Sequence, residues 1–353
     1  MLHFAFLTIR LTGARRFNCL LPLVLALHAV LASAQNAPLA LQPISLPQEI
    51  ADRNNQFSGL YIHHHQLLLL SESRLQERAE PKVYGLDLAS LDRQLAGRSK
   101  ELAYKKYTIR GLDAVRTKLD SAGTIYEGLE GLTMLDGMLY FSIETATASA
   151  YCYLVRGRLD DAQAIITLDS GYLLPLAKPT LPNGTHIYNA GFEGLESHGQ
   201  NLLLLFEYNY FPQGNYALAL PGAAATATTL RHVPLPPVPF RVTDLVREGK
   251  NRFTAINYFY NGPDDSVYRP ALIDPATRLI RQDSSYQNYC RLISLRYKRH
   301  ALRWKPLFEL PREYMTYNWE GLAAHRGGYF LINDKYGPSN QSILLYVRKK
   351  GRK

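Results

Sequence analysis

The chain has 353 residues, 46% of them apolar and 20% charged, and a formal net charge of +10. That is enough apolar side chain to bury a sizeable core, which excludes disordered, collagen-like and disulfide-scaffold chains. Three arginines in residues 1–34 and five basic residues in 348–353 leave only +2 for the body. A dispersed +2 is no phosphate-binding stripe, so no nucleic-acid partner is expected.

In chain order, Arg15 and Arg16 precede an apolar run over residues 19–31 that ends in Ala32-Ser33-Ala34. This pattern predicts an export signal over residues 1–34, hence a periplasmic or secreted protein. The run is too short to span a bilayer, and no later stretch approaches the roughly 18 apolar residues required, so no membrane-spanning segment is expected. Cys152 and Cys290 remain after processing, each in an apolar, tyrosine-rich strand pattern, and either a disulfide or two buried thiols fits them.

The body repeats itself. An acidic residue followed by Gly and Leu recurs as Glu130-Gly131-Leu132, Glu193-Gly194-Leu195 and Glu320-Gly321-Leu322, with worn copies at Ser58-Gly59-Leu60 and Asp244-Leu245. Fourteen residues beyond the start of each phrase stand Glu72, Glu144, Glu207, Tyr258 and Asp334. Turn chemistry falls midway, as Asp136-Gly137, Gly199-Gln200-Asn201 and Gly327-Gly328, so each copy reads as a β-hairpin whose two marked residues share one end.

Third strands are predicted over 83–88, 150–155, 215–220, 289–297 and 342–347, and fourth strands over 104–110, 162–168, 229–235 and 306–311. The last unit runs out of chain before its fourth strand. The segment Ile44-Ser45-Leu46-Pro47-Gln48-Glu49-Ile50, which resembles Phe308-Glu309-Leu310-Pro311-Arg312-Glu313-Tyr314, is predicted to supply it. The fold expected is all-β, a β-propeller of four-stranded antiparallel blades closed by the N-terminal strand. Five blades are counted, and a sixth would have to lie in residues 111–124 or 262–285; a two-domain sandwich is the alternative fold. Residues 35–348 form the propeller domain and 349–353 a basic tail, and a monomer is expected.

These phrases carry a resemblance. Asn189-Ala190-Gly191-Phe192-Glu193-Gly194-Leu195, Asn318-Trp319-Glu320-Gly321-Leu322-Ala323, Ile332-Asn333-Asp334 and Val242-Thr243-Asp244-Leu245 resemble the phytase-like propeller family, the domain described as having esterase-like activity of phytase. The likeness spans most of residues 55–348. Ser58 and Tyr258 depart from the family's acids, the arginine common in the family's fourth repeat is missing, and its acid-rich calcium loops are not evident. The resemblance implies a secreted or periplasmic propeller with a divalent cation.

If each phrase opens an innermost strand, Glu130, Glu193, Asp244 and Glu320 converge at one mouth of the central channel. Asn257, Asn333 and Asp334, near the fourteen-residue mark, add oxygen donors, and an oxygen-only set suits calcium better than zinc, so calcium is the cation expected. The other reading makes each acid a hydrogen-bond stitch to the next blade. Two functions fit these readings. One is a cation-dependent hydrolase of phosphoric or carboxylic esters whose small-molecule substrate sits at the channel mouth; the other is a non-catalytic exported binding or scaffold propeller. No Gly-x-Ser-x-Gly elbow is present, and His63, His64 and His65 are expected at a solvated hairpin tip.

Overall fold

The computed structural model describes residues 39–72, 80–222, 229–334 and 341–349. The predicted export signal, residues 1–34, and all but the first residue of the predicted basic tail lie outside them.

The chain forms four-stranded antiparallel units in sequence. The first is β2 (Phe57–His63), β3 (Gln66–Ser71), β4 (Lys82–Asp87) and β5 (Tyr104–Arg110), and the second is β6 (Tyr126–Leu135), β7 (Met138–Thr145), β8 (Tyr151–Asp160) and β9 (Ile165–Ala177). Their outer strands β5 and β9 pair in parallel, from Thr108 opposite Ile165 to Arg110 opposite Thr167, joining both units into one eight-stranded sheet. The third unit is β10 (Gly194–His198), β11 (Asn201–Leu205), β12 (Tyr216–Pro221) and β13 (Arg231–Pro234). The fourth is β14 (Arg241–Gly249), β15 (Arg252–Phe259), β18 (Tyr289–Lys298) and β19 (Ala301–Glu309), with a ribbon of β16 (Arg281–Gln282) and β17 (Ser285–Tyr286) in the connection. The last is β20 (Trp319–His325), β21 (Gly328–Asn333) and β22 (Leu344–Lys349), completed by β1 (Leu39–Ile44).

The first strands close a ring: β2 packs on β6, β6 on β10, β10 on β14, β14 on β20 and β20 on β2. This is a propeller-type architecture, with β2, β6, β10, β14 and β20 around the axis. The second strands are buried on both faces because neighbouring units pack against each. Hence Leu67–Leu70 of β3 and Leu202–Leu205 of β11 read as unbroken leucine runs with essentially no exposure. At roughly 1.5–3 kcal/mol per fully buried Leu, these runs are a principal source of the drive to fold.

The N-terminal strand closes the ring as expected, but its position is corrected. β1 pairs antiparallel with β22 from Leu39 opposite Lys349 to Ile44 opposite Leu344. The likeness to residues 308–314 falls mainly on the helical turn that comes after the strand. Pro47 and Pro311, with φ of −54° and −60°, each start such a turn, Gln48–Ala51 and Arg312–Tyr314. Proline fits the first turn of a helix because it has no N–H to leave unpaired.

Neither stretch considered for a sixth blade is one. Residues 112–121 form a helix that buries Leu112, Val115 and Leu119 against Tyr107, Ile166 and Leu168, over the outer strands of the joined units. Residues 262–288 hold a 3-10 turn (Asp264–Tyr268), a helical turn (Thr277–Ile280) and the β16–β17 ribbon. Cys152 and Cys290 are free and buried, with burial pushing the Cys152 thiol up to about 12. Among the described residues no helix is long and apolar enough to cross a membrane.

Candidate functional site

Each residue of the repeated phrase has its own physical task. The ladders between first and second strands skip at Phe57/Gly59, Leu129/Leu132, Val242/Leu245 and Trp319/Gly321, so the acidic position lies on a β-bulge in the second and last units. Bulges re-aim a side chain out of the pleat. The glycine is a packing requirement: a Cβ on Gly131 would lie 2.5 Å from the Glu193 carbonyl oxygen, and one on Gly321 would lie 2.8 Å from Leu60 Cγ. The leucine packs in the cores between units.

Hydrogen bonding sets the phase of the worn copies. Ser58 Oγ donates to the Leu129 carbonyl at 2.8 Å, and Thr243 Oγ1 donates to the Trp319 carbonyl at 2.7 Å, in each case the residue just before the glutamate of the neighbouring unit. The equivalent of Glu130 in the fourth unit is therefore Thr243, one residue before Asp244, and Asp244 occupies the place of the glycine. Its carboxylate accepts from the N–H groups of Leu245 and Leu322, each at 2.6 Å, and also from Leu60. Asp244 is thus a stitch between first strands, pushed well above its usual range by burial against the pull of those donors. Glu196 plays the same part between β6, β10 and β14, accepting from Thr133 Oγ1 at 3.1 Å and the Arg247 N–H at 2.9 Å.

The acids fourteen residues on return to the same end. Glu72, Glu207 and Asp334 donate their N–H to the carbonyls of Gln56, Gly191 and Asn318, two residues before each phrase, and Glu144 pairs with Gly128. A Cβ on Gly128 would lie 2.6 Å from Glu130 Oε1 and 2.8 Å from Glu72 Oε2, so these two carboxylates meet beside it. Glu193 is pushed well above its usual range by burial, then by Glu207, Glu320, Glu130 and Glu144. Glu320 is raised by burial, then by Asp334 and Glu207, with Arg241 opposing. Glu130, Glu193 and Glu320 therefore share one electrostatic site with the second-strand acids. Glu193, 9% exposed, leaves Oε2 without a hydrogen bond.

One guanidinium stands among them. Arg241 pairs through Nη1 with Glu207 and through Nη2 with Asp265, and lies 4.1 Å over the Tyr268 ring. Tyr268 Oη donates to Glu207 Oε2 at 3.0 Å. Burial raises Glu207, and Arg241's charge opposes that rise. The residue-262 insert thus delivers Asp265 and Tyr268 to the mouth. Sequence reading missed all three residues; the available signals were an arginine three positions ahead of the Asp244-Leu245 phrase and Pro263-Asp264-Asp265 in a long insert.

Of the other expected ligands, Asn257 donates to the carbonyls of Pro239 and Arg241, at 2.7 and 3.0 Å, and accepts from Arg291 Nε at 2.8 Å. Asn333 Oδ1 accepts from the Ile343 N–H at 2.5 Å, and Asp334 Oδ2 accepts from Asn318 Nδ2 at 3.3 Å. Among the described residues no three His, Cys, Asp or Glu side chains form a ready-made metal-ligand group. His63, His64 and His65 lie at the β2–β3 turn, with His64 at φ 50°. A cavity of about 180 Å³ among the first strands is lined by Tyr61, Glu196 and Arg247. A cleft of about 500 Å³ lies on the second unit beside Arg156, Arg158 and Asp169.

No protein-family model matches the chain, and no curated protein matches it. Solved structures do. The chain is similar to exo-beta-1,3-galactanase from Phanerochaete chrysosporium, at 10% identity over 86% of this chain and 64% of that one with a TM-score of 0.49. It is similar to the RS223 beta-xylosidase, at 8% identity over 88% and 96% with a TM-score of 0.47. It is also similar to the soluble aldose sugar dehydrogenase from Escherichia coli, at 10% identity over 88% and 100% with a TM-score of 0.41. At these scores the likenesses carry no argument, and the fold rests on the strand pairing itself.

Proposed function

We propose that the chain is an exported, monomeric, phytase-like propeller of five blades, over residues 35–348, that hydrolyses phosphoric or carboxylic esters with a divalent cation at the acidic mouth. The observation that supports this is the burial of Glu193 among Glu130, Glu207 and Glu320 with one oxygen unpartnered. Several carboxylates in a low-dielectric space repel unless they are protonated or meet a cation. Glu130, Glu193, Glu320 and Asp334 offer only oxygen, the donor class that suits calcium, but do not stand as a ready-made ligand group, so a cation would have to draw them together, while Asp244 and Asn257 are engaged by backbone and neighbouring groups. Calcium, when bound, would polarise the ester oxygen and lower the pKa of a water molecule. Arg241 pairs with Glu207 and orients its carboxylate toward the mouth's edge of the insert that carries Asp265.

The test is to strip the full chain with chelator, add calcium, magnesium or manganese, and follow both melting temperature and turnover of 4-nitrophenyl phosphate and 4-nitrophenyl acetate. A bound cation should stabilise the fold by about 2.7 kcal/mol at one hundred times its dissociation constant. No melting shift with any of the three removes the cation, and no ester turnover removes the hydrolase. N-terminal sequencing of the exported product should begin at residue 35. A second reading, a non-catalytic binding propeller, draws on Ser58, Thr243 and Asp244, whose side chains all serve bonds between units.

A further inference from the structure

The small net charge of the body hides a local excess. Residues 284–308 carry six Lys or Arg and no acid, and all of these cations but Arg291 are exposed. Register sets three arginines side by side across adjacent strands: Arg252 of β15 stands opposite Arg296 of β18, and Arg296 opposite Arg303 of β19. Residues directly opposite in an antiparallel pair share one face, with Cβ atoms about 4.5–5.5 Å apart. Lys298 and Lys305, two residues along from Arg296 and Arg303, lie on that face too. Among the described residues none of these five cations forms an ion pair. Glu248, the acid nearest to Arg252 in sequence, is engaged by Thr254 Oγ1 at 2.9 Å and by Tyr329 Oη.

The arrangement costs stability in two ways. Like charges directly opposite each other repel. The β18–β19 turn is made by Arg299 and His300, at φ 52° and 61°, a left-handed pair for which Asn-Gly is the favoured sequence. The hairpin is nonetheless held firmly by its other face, where Leu295 and Leu302 join the core with the third unit and Trp304 Nε1 donates to the Pro237 carbonyl at 3.0 Å. A fixed row of unpaired guanidinium groups is relieved by an anion, which each can bind through two parallel N–H donors. The face lines neither of the cavities described above, so it suits charges repeated along an extended chain rather than one enclosed small anion.

The neighbouring chemistry selects among polyanions. Single-stranded nucleic acid is held by exposed aromatic rings beside the cations, whereas Tyr297 and Trp304 face the core side of the hairpin. Duplex DNA admits a free β-ribbon to its groove, whereas β18 and β19 are embedded in a four-stranded sheet. A membrane surface takes inserted apolar side chains, whereas the exposed Leu272 and Ile273 belong to the insert at the opposite end of β18. We propose that this face docks an acidic polysaccharide, with Arg252, Arg296 and Arg303 taking anionic groups along the polymer and Lys298 and Lys305 flanking them. The inference rests on neither the acidic mouth nor the ester chemistry.

The test is calorimetric titration of the full chain with polygalacturonate and dextran sulfate, and with neutral dextran, duplex DNA and phosphatidylglycerol vesicles as comparisons. At least one acidic polysaccharide should bind the wild type more tightly than any comparison, and should weaken as salt rises. The double variant Arg296→Thr, Arg303→Thr should weaken that binding about tenfold or more. The double variant Arg110→Thr, Arg158→Thr removes the same charge from β5 and β8 and should bind as wild type does. The first variant should also melt at or above the wild-type temperature, because it takes like charges from opposite positions, whereas loss of structural arginines would lower it. The proposal is overturned if neither acidic polysaccharide binds, if dextran, DNA or vesicles bind as tightly, if the Arg296 and Arg303 variant binds as wild type or melts lower, or if the Arg110 and Arg158 variant loses as much affinity.

Discussion

At the residue scale, two kinds of buried acid lie around one axis, and their variants should behave differently. Asp244 has backbone N–H donors on both carboxylate oxygens. Asp244→Ala leaves those donors unpaired and should destabilise by about 2–4 kcal/mol in urea unfolding, equally with calcium and with chelator. Glu193 is held above its usual range, first by burial and then by its neighbouring acids, as is Glu320 by burial and Asp334. An acid raised in the folded state contributes stability that is fully present below its unfolded pKa and is lost as pH rises through the folded value. Chelated wild type should therefore lose melting temperature as pH rises above the ordinary glutamate range, and Glu193→Gln should flatten that loss. In calcium the variant should forgo most of the wild type's gain. A Glu193→Gln profile parallel to wild type at every pH would show that its ionisation is not a source of strain.

At the element scale, the ring holds because its two ends share one sheet. β22 has Leu344–Val347 buried between β21 and β1, so removing β1 uncovers a hydrogen-bonding edge beside an apolar face. Deleting residues 35–50 should lower the melting temperature and promote association, read by light scattering; a truncated chain that stays monomeric with an unchanged melting temperature would refute this closure. The helix at residues 112–121 and the parallel β5–β9 pairing give the first two units a shared outer wall, which a repeat count alone does not suggest. The first-strand glycines form a second constraint. Gly131→Ala places a methyl group 2.5 Å from the Glu193 carbonyl oxygen and should cost several kcal/mol, about 2–4, because two backbones must separate.

At the scale of the whole molecule, the sequence by itself determined the period, the four-stranded unit, the closure by the N-terminal strand and the end at which the acids gather. Those features rest on local chemistry: Asp136-Gly137 and Gly327-Gly328 turn a chain wherever they stand, and the leucine runs of β3 and β11 require burial on both faces. The tertiary structure decided what each acid does. Glu193 and Asp244 look alike in the repeat, yet a second bulge of β14, at Arg247/Gly249, puts one extra residue between phrase and turn, so Asp244 falls at the glycine place, within reach of the Leu322 N–H, and Thr243 takes the acidic position. Arg241 becomes the guanidinium of the mouth because Asp265 and Glu207, respectively 24 and 34 residues away in the chain, close on it. Periodicity reports which residues share a phase. Which of them meet, and with what charge between them, depends on side-chain contacts formed when separate units pack around a single axis.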